Sequence, residues 1–178
     1  VIVRGATSAD VPALQAIYAH HVLSGTGTFE ETPPTAEDIA ERLGKVVDLG
    51  LPYLVAEDGG QILGFAYAGP FRLRSAYRYT VEDSVYVAPH HQGKGVGKAL
   101  LHAVIAACEA LGLRHMIAVI GDSQNAGSVG VHRACGFTDV GAAEGVGFKH
   151  GGFLDIVIMQ RVLGEGSASV PKAPGLAI

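Results

Sequence analysis

The stretch Val85-Tyr86-Val87-Ala88-Pro89-His90-His91-Gln92-Gly93-Lys94-Gly95-Val96-Gly97-Lys98-Ala99 reads as a strand, a glycine-rich turn and the start of a helix. Val85 and Val87 are β-branched residues in a strand that begins at Thr80, and Pro89 stops it. Beyond the turn, Val96, Leu100, Val104, Cys108 and Leu111 repeat at helical spacing, and Gly112 supplies a stop. Glycine lets a backbone approach a ligand and adopt conformations that a Cβ forbids. A helix start offers unpaired N–H groups and a positive dipole end. With Lys94 and Lys98 added, Gln92, Gly93, Lys94, Gly95, Val96, Gly97 and Lys98 describe an anion site. A plain turn that only starts a helix requires neither the lysines nor three alternate glycines.

Upstream, Val1 to Arg4 is a short strand. Thr7 and Asp10 open a helix with Ala13, Leu14, Ile17, Tyr18 and Val22 on its apolar positions, closed by Gly25 and Gly27. Thr28 to Pro34 is a loop, and Thr35 and Asp38 open a second helix with Ile39, Leu43, Val46 and Val47. Tyr53 to Glu57 and Ile62 to Ala68 are strands joined by the turn Asp58-Gly59-Gly60. Gly69 to Arg78 is a polar loop with three arginines and a tyrosine. Downstream come a strand over His115 to Ile120, a short helix over Asn125 to Ala134, and final strands over Phe137 to Gly141 and Phe153 to Gln160 with a glycine-rich hairpin between them. Residues 164–178, rich in Gly, Ser and Pro, read as a surface tail, leaving residues 1–163 as one domain. The order β-α-α-β-β-β-α-β-α-β-β predicts an α/β protein: a mixed sheet with helices on both faces.

Composition narrows the function classes. In 178 residues, 48% hydrophobic and 17% charged content is that of a globular chain. A net charge of -4 supplies no basic face for a phosphate backbone, so nucleic acid is not an expected partner. No apolar run approaches membrane-span length, and the first residues carry no signal-peptide pattern, so a cytoplasmic setting is expected and no membrane partner. Cys108 and Cys135 sit in helix-like apolar patterns and read as buried thiols.

Three anion loops compete for the segment 92–98. A P-loop requires Ser or Thr after its lysine, and Ala99 follows Lys98. A dinucleotide fingerprint requires a third glycine at position 98, which is a lysine, and sits earlier in its chain. The acetyltransferase pattern Gln-x-x-Gly-x-Gly is matched by Gln92, Gly95 and Gly97. The segment thus resembles the acetyl-CoA loop of the GCN5-related N-acetyltransferase (GNAT) superfamily. Asn125-Ala126-Gly127-Ser128, His132 and Gly136-Phe137 are similar to its second motif, and Val1 to Arg161 follows its element order. Three longer strings resemble the phosphinothricin and methionine sulfoximine acetyltransferase subfamily: Phe65 to Pro70, Ala76 to Val87, and Gly147-Phe148-Lys149-His150-Gly151. His132 stands where many superfamily members carry tyrosine and where the subfamily commonly has histidine.

The resemblance implies a GNAT fold with a central, mostly antiparallel mixed sheet, acetyl-CoA as cosubstrate, no metal, and a homodimer. It places Val85, Tyr86 and Val87 beside the pantetheine and thioester, and Asn125 and Ser128 at the cofactor. It places Phe29, Arg72, Arg74 and Tyr77 on the substrate side. Lys149 either completes the partner's pocket or is an exposed hairpin lysine. The implied reaction is direct acetyl transfer to the α-amino group of phosphinothricin, methionine sulfoximine or methionine sulfone. Another small amine, or a non-catalytic acetyl-CoA sensor, is the alternative.

The chemistry sets matching demands. An ammonium must lose a proton before it attacks a thioester. Read from its strand alone, Glu82 is either that base or a solvent-facing carboxylate; the resemblance makes it the base. Strand alternation turns Asp83 to the opposite face, so one of the pair is expected in the site. His132 either protonates the departing thiolate or hydrogen-bonds the cofactor or a neighbour. The pairs His20-His21 and His90-His91 do not converge on a metal and read as surface or loop residues.

Overall fold

The computed structural model describes residues 1–178 and has the element order expected from the sequence. Its strands are β1 (Ile2–Gly5), β2 (Tyr53–Asp58), β3 (Gln61–Pro70), β4 (Thr80–Val87), β5 (His115–Gly121), β6 (Thr138–Lys149) and β7 (Gly152–Val162). The helices are α1 (Val11–Ser24), α2 (Ala36–Asp48), α3 (Val96–Ala110) and α4 (Ala126–Ala134). The seven strands form one mixed sheet in the order β1-β2-β3-β4-β5-β7-β6. Every neighbouring pair is antiparallel except β4 and β5.

Two apolar layers sandwich the sheet. Strand alternation sends Tyr53, Val55 and Phe65 to one face, where they meet Leu14, Ile17, Tyr18 and Val22 of α1 and Ile39 and Leu43 of α2. Ala56, Ala66, Ala68 and Val81 point the other way, against Leu100, Leu101, Val104 and Cys108 of α3. Both α1 and α2 begin where the sequence signals them. Asp38 N–H donates to Thr35 Oγ1 at 3.1 Å and Thr35 N–H to Asp38 Oδ2 at 2.9 Å, a reciprocal capping box. Asp10 Oδ2 accepts from Thr7 N–H at 2.8 Å, and α1 itself opens one residue later, just before Pro12.

Two expectations change. Strand β6 does not end near Gly141: it runs to Lys149, pairing with β7 across register shifts between Asp139 and Gly141 and between Ala143 and Gly147. Glycines that read as a hairpin from sequence sit in or beside bulges, and the turn falls at His150 and Gly151, both at positive φ. Residues 164–178 are also more than a surface tail. Leu176 is buried in the α3-side core, its N–H donates to the Arg78 carbonyl at 2.8 Å, and Tyr79 Oη donates to the Ala173 carbonyl at 2.6 Å. Removing one apolar side chain from water anchors a segment that composition alone describes as polar.

Candidate active site

Pairing between β4 and β5 covers only Thr80–Glu82 and His115–Ile117. Beyond Glu82 the two parallel strands part, and a cleft of about 670 Å³ opens between them. Ser84, Val85, Tyr86 and Val87 form one wall, Ala118, Val119 and Ile120 the other. The loop Gln92–Gly97 and the first turn of α3 close one end, and α4 borders the cleft through Asn125, Ser128 and His132. A ladder that stops midway leaves backbone N–H and C=O groups on facing edges without strand partners, which is a ready grip for an extended, amide-bearing ligand.

The loop end of the cleft is shaped by its glycines. Gly93 and Gly95 hold φ of 72° and 82°, the left-handed region, and Gly95 is the residue that turns the chain into α3. Gly97 has an ordinary φ, and a Cβ there would make van der Waals contact with β4, 3.4 Å from Val87 Cγ2 and 3.7 Å from Val85 Cγ1. The helix start therefore lies directly against the splayed end of β4. Gln92, Gly93, Gly95, Gly97 and Lys98 all line the cleft, as expected from the sequence. Lys94 is exposed and does not line it, and the Val96 side chain is buried among the core residues, so only the backbone of Val96 is free to serve the cleft.

Helix α4 begins at Asn125, whose Oδ1 accepts the Ser128 N–H at 3.2 Å. That cap engages the amide oxygen and leaves the amide nitrogen as the group available to a ligand. Seven residues on, His132 is buried with Nε2 2.8 Å from Asp83 Oδ2 and Nδ1 2.7 Å from the Ser128 carbonyl oxygen. Burial pushes the imidazole toward its neutral form, but the hydrogen bond and charge of Asp83, with the Ser128 carbonyl, outweigh it and the net shift is upward.

Glu82 and Asp83 keep strand alternation, with Asp83 on the α3 face beside Val81, yet both line the cleft. The expectation that one of them alone would enter the site fails because the opening cuts between the strands and reaches both faces of β4. Burial raises the pKa of Glu82, the adjacent Asp83 charge raises it further, and Arg72 pulls it down. A carboxylate with raised proton affinity at a cleft wall is suited to proton transfer near neutral pH.

The residues expected on the substrate side are not gathered into the cleft. Arg72, Arg74 and Tyr77 are exposed on the connection between β3 and β4. The Arg72 guanidinium lies 4.5 Å from the Phe71 ring centroid, and Tyr77 meets Phe71 edge-on at 5.7 Å. Phe29 lies off the cleft, its ring against Gly121 at the end of β5 and Gly147 of β6. Lys149 is neither exposed nor directed outward: it is 3% exposed and its Nζ donates to the Thr28 carbonyl at 2.8 Å. Loss of water lowers its pKa, opposed by Glu31 and Glu30.

His21 reads as a surface residue in the sequence but lines the cleft, with Nε2 donating to the Val87 carbonyl at 2.8 Å. Burial holds its pKa down. The signal was present in the spacing, since His21 follows Tyr18 by three residues and Ile17 by four and so falls on the buried stripe of α1. His91 also borders the cleft. No group of three or more His, Cys, Asp or Glu side chains is disposed to hold a metal ion, and no helix is long and apolar enough to cross a membrane.

The same arrangement occurs in known proteins. Residues 14–137 match the sequence model of the acetyltransferase (GNAT) family. The chain is 52% identical over 170 residues to phosphinothricin N-acetyltransferase of Alcaligenes faecalis, covering 96% of this chain and 86% of that one. It is 40% identical over 167 residues to the L-methionine sulfoximine/L-methionine sulfone acetyltransferase of Salmonella typhimurium, covering 93% and 96%. The crystal structure of a GNAT superfamily phosphinothricin acetyltransferase from Sinorhizobium meliloti in complex with AcCoA superposes with a TM-score of 0.94 at 48% identity, over 96% of this chain and 92% of that one. A splayed β4–β5 pair, a glycine loop at a helix start and these likenesses agree: the chain belongs to the acetyltransferase (GNAT) family and is an N-acetyltransferase.

Proposed function

We propose that the chain transfers the acetyl group of acetyl-CoA directly to the α-amino group of a small amino-acid analogue, with phosphinothricin, methionine sulfoximine and methionine sulfone as its substrates. The observation that carries this reading is Glu82, a cleft-lining carboxylate of raised proton affinity on the strand that parts from β5. In this reading the pyrophosphate lies on the N–H groups from Gly93 to Gly97, with Lys98 adding charge, and the pantetheine arm runs along Val85, Tyr86 and Val87. Backbone N–H groups of that splayed strand stabilise the oxyanion formed at the thioester. Glu82 takes the proton of the ammonium, directly or through water. Arg72 and Arg74 hold the analogue's carboxylate and its phosphinate or sulfone oxygens by charge-assisted hydrogen bonds, with Tyr77 beside them. Arg72 lowers the proton affinity of Glu82, so its charge is felt at the proposed base. The names of the relatives favour these analogues over other amines.

The same reading gives one catalytic domain, with residues 164–178 packed onto it through Leu176, working in the cytoplasm as a homodimer. Support for the dimer comes from the β6–β7 hairpin, where Phe148 and Phe153 form an exposed edge-to-face pair at 5.1 Å with Val146 exposed nearby. Thiol release from acetyl-CoA, followed with a panel of the three analogues, the common amino acids and a polyamine, tests the substrate assignment. Release with the analogues well above the rest supports it, and equal or greater release with a polyamine overturns it.

A further inference from the structure

We infer that Asp83 and His132 form a permanent buried ion pair that clamps α4 to β4 beside the cleft, making both positioning residues for the transfer and leaving neither N–H of His132 directed at a leaving group. The part of this inference that concerns Glu82 rests on its reading as the base; the ion pair itself does not.

The geometry carries it. Both ring nitrogens of His132 face oxygens, Asp83 Oδ2 at 2.8 Å and the Ser128 carbonyl at 2.7 Å. A carbonyl only accepts, so Nδ1 carries hydrogen; if Asp83 is ionised, Nε2 carries one too, and the ring is an imidazolium. The side chains are 6% and 1% exposed, so neither nitrogen is open to the cleft as a free donor. Asp83 Oδ1 is buried with no hydrogen-bond partner, so His132 alone compensates this carboxylate. Nearby thiols do not share the charge: burial pushes Cys108 up to about 12 and also raises Cys135, which Lys98 and Arg161 pull the other way. Phe137 closes the remaining side, edge-on at 5.0 Å.

The clamp stands where the sheet has nothing else to give. β4 has lost its pairing to β5 beyond Glu82, and α4 follows β5. Asp83 to His132 ties β4 directly to α4, and α4 carries Asn125 and Ser128 on the same cleft. The pair also sets the charge next to Glu82. The groups acting on Glu82 are Asp83 on its own strand and Arg72 on the β3–β4 connection, and Glu82 in turn acts on Tyr67 of β3. An imidazolium held against Asp83 offsets the like charge that Glu82 otherwise faces.

Two measurements decide it. In a ¹H–¹⁵N spectrum of the ring nitrogens at pH 7, where an ordinary imidazole of pKa about 6.5 is mostly neutral, both His132 nitrogens should carry hydrogen. A ring with one bare nitrogen, the proton resting on Asp83, overturns the ion pair. The second measurement is the acid limb of kcat/KM for the amine. Asp83→Asn removes the like charge beside Glu82 and should move the limb to lower pH, and His132→Gln leaves Asp83 uncompensated and should move it to higher pH, each on the order of one pH unit. Shifts in the same direction, or none, overturn the positioning role. Glu82→Gln run in parallel separates the two readings: an unchanged acid limb there refutes Glu82 as base, and the spectrum still tests the pair. If His132→Gln does not fold, Asp83→Asn and the wild-type spectrum suffice.

Discussion

The ring of Phe29 occupies the space that a side chain at Gly147 would need. A Cβ at position 147 would lie 2.7 Å from Phe29 Cδ2, and one at Gly121 would lie 2.9 Å from Cε1. Neither glycine has a positive φ, so the constraint is room rather than backbone conformation. The loop between α1 and α2 is seated by two glycines from distant strands. Lys149, two residues on, holds the neighbouring carbonyl of Thr28.

Gly147→Ala should therefore displace Phe29 and destabilise the protein by about 1–3 kcal/mol through overpacking. In a Phe29→Ala background the same change should be nearly neutral. Chemical denaturation of the four proteins in the cycle measures the coupling. Equal costs in both backgrounds would mean that the ring yields freely and the packing is not specific.

At the anion end, Lys98 lines the cleft and Lys94 does not. Lys98→Glu should raise the KM for acetyl-CoA about tenfold or more, with Lys94→Glu well below that, because both lysines are exposed but Lys98 alone of the two lines the cleft, and a charge farther from the ligand is screened by water and salt. Gly95→Val should do more than either and should also lower the Tm, since a β-branched residue at φ 82° is strained. Initial rates at varied acetyl-CoA, with thermal melts alongside, give the ranking. A larger effect at Lys94 than at Lys98 contradicts the placement of the phosphates.

Glu82→Gln preserves size but cannot accept a proton. Near neutral pH kcat/KM should fall roughly 10²–10⁴-fold, with acetyl-CoA affinity little changed. The deficit should shrink as pH rises and free amine becomes abundant. A variant within a factor of a few of wild type at pH 7 would assign proton removal to solvent, leaving positioning to carry the rate.

Asp10 gives an acid-stability prediction. Hydrogen bonds from Arg4 at 2.9 Å lower its pKa from 3.8 to about 2, against the opposing effect of burial and with help from the Thr7 N–H. A folded-state pKa below the unfolded one stabilises the fold above pH 3.8 and loses that contribution as pH falls toward 2. Asp10→Asn should lower the Tm at pH 7, and its gap to wild type should close across that acid window. A gap that stays constant down to pH 2 would mean that the carboxylate charge is not what matters.

Local rules were enough for the element order and for the glycine-rich turn into α3. A helix needs its apolar stripe and caps, and Thr35 with Asp38 or Val96 through Cys108 carry those within a few residues of one another. The loop's glycines act through backbone conformation and helix polarity, which are also local, so the strand-turn-helix that brings Gln92, Gly95, Gly97 and Lys98 to the cleft was legible before any contact was known. Partnerships across the sheet were not. That β4 leaves β5 after Glu82, that Asp83 faces His132 49 residues away, that His21 reaches Val87, and that Phe29 fills the space above Gly147 depend on which surfaces meet. Alternation placed Glu82 and Asp83 on opposite faces correctly, and the strand parting, a property of two strands together, brought both to one cleft. Lys149 read as a hairpin charge because sequence shows a side chain's polarity but not its acceptor; the Thr28 carbonyl that holds it lies 121 residues earlier, and packing alone brings the two within 2.8 Å.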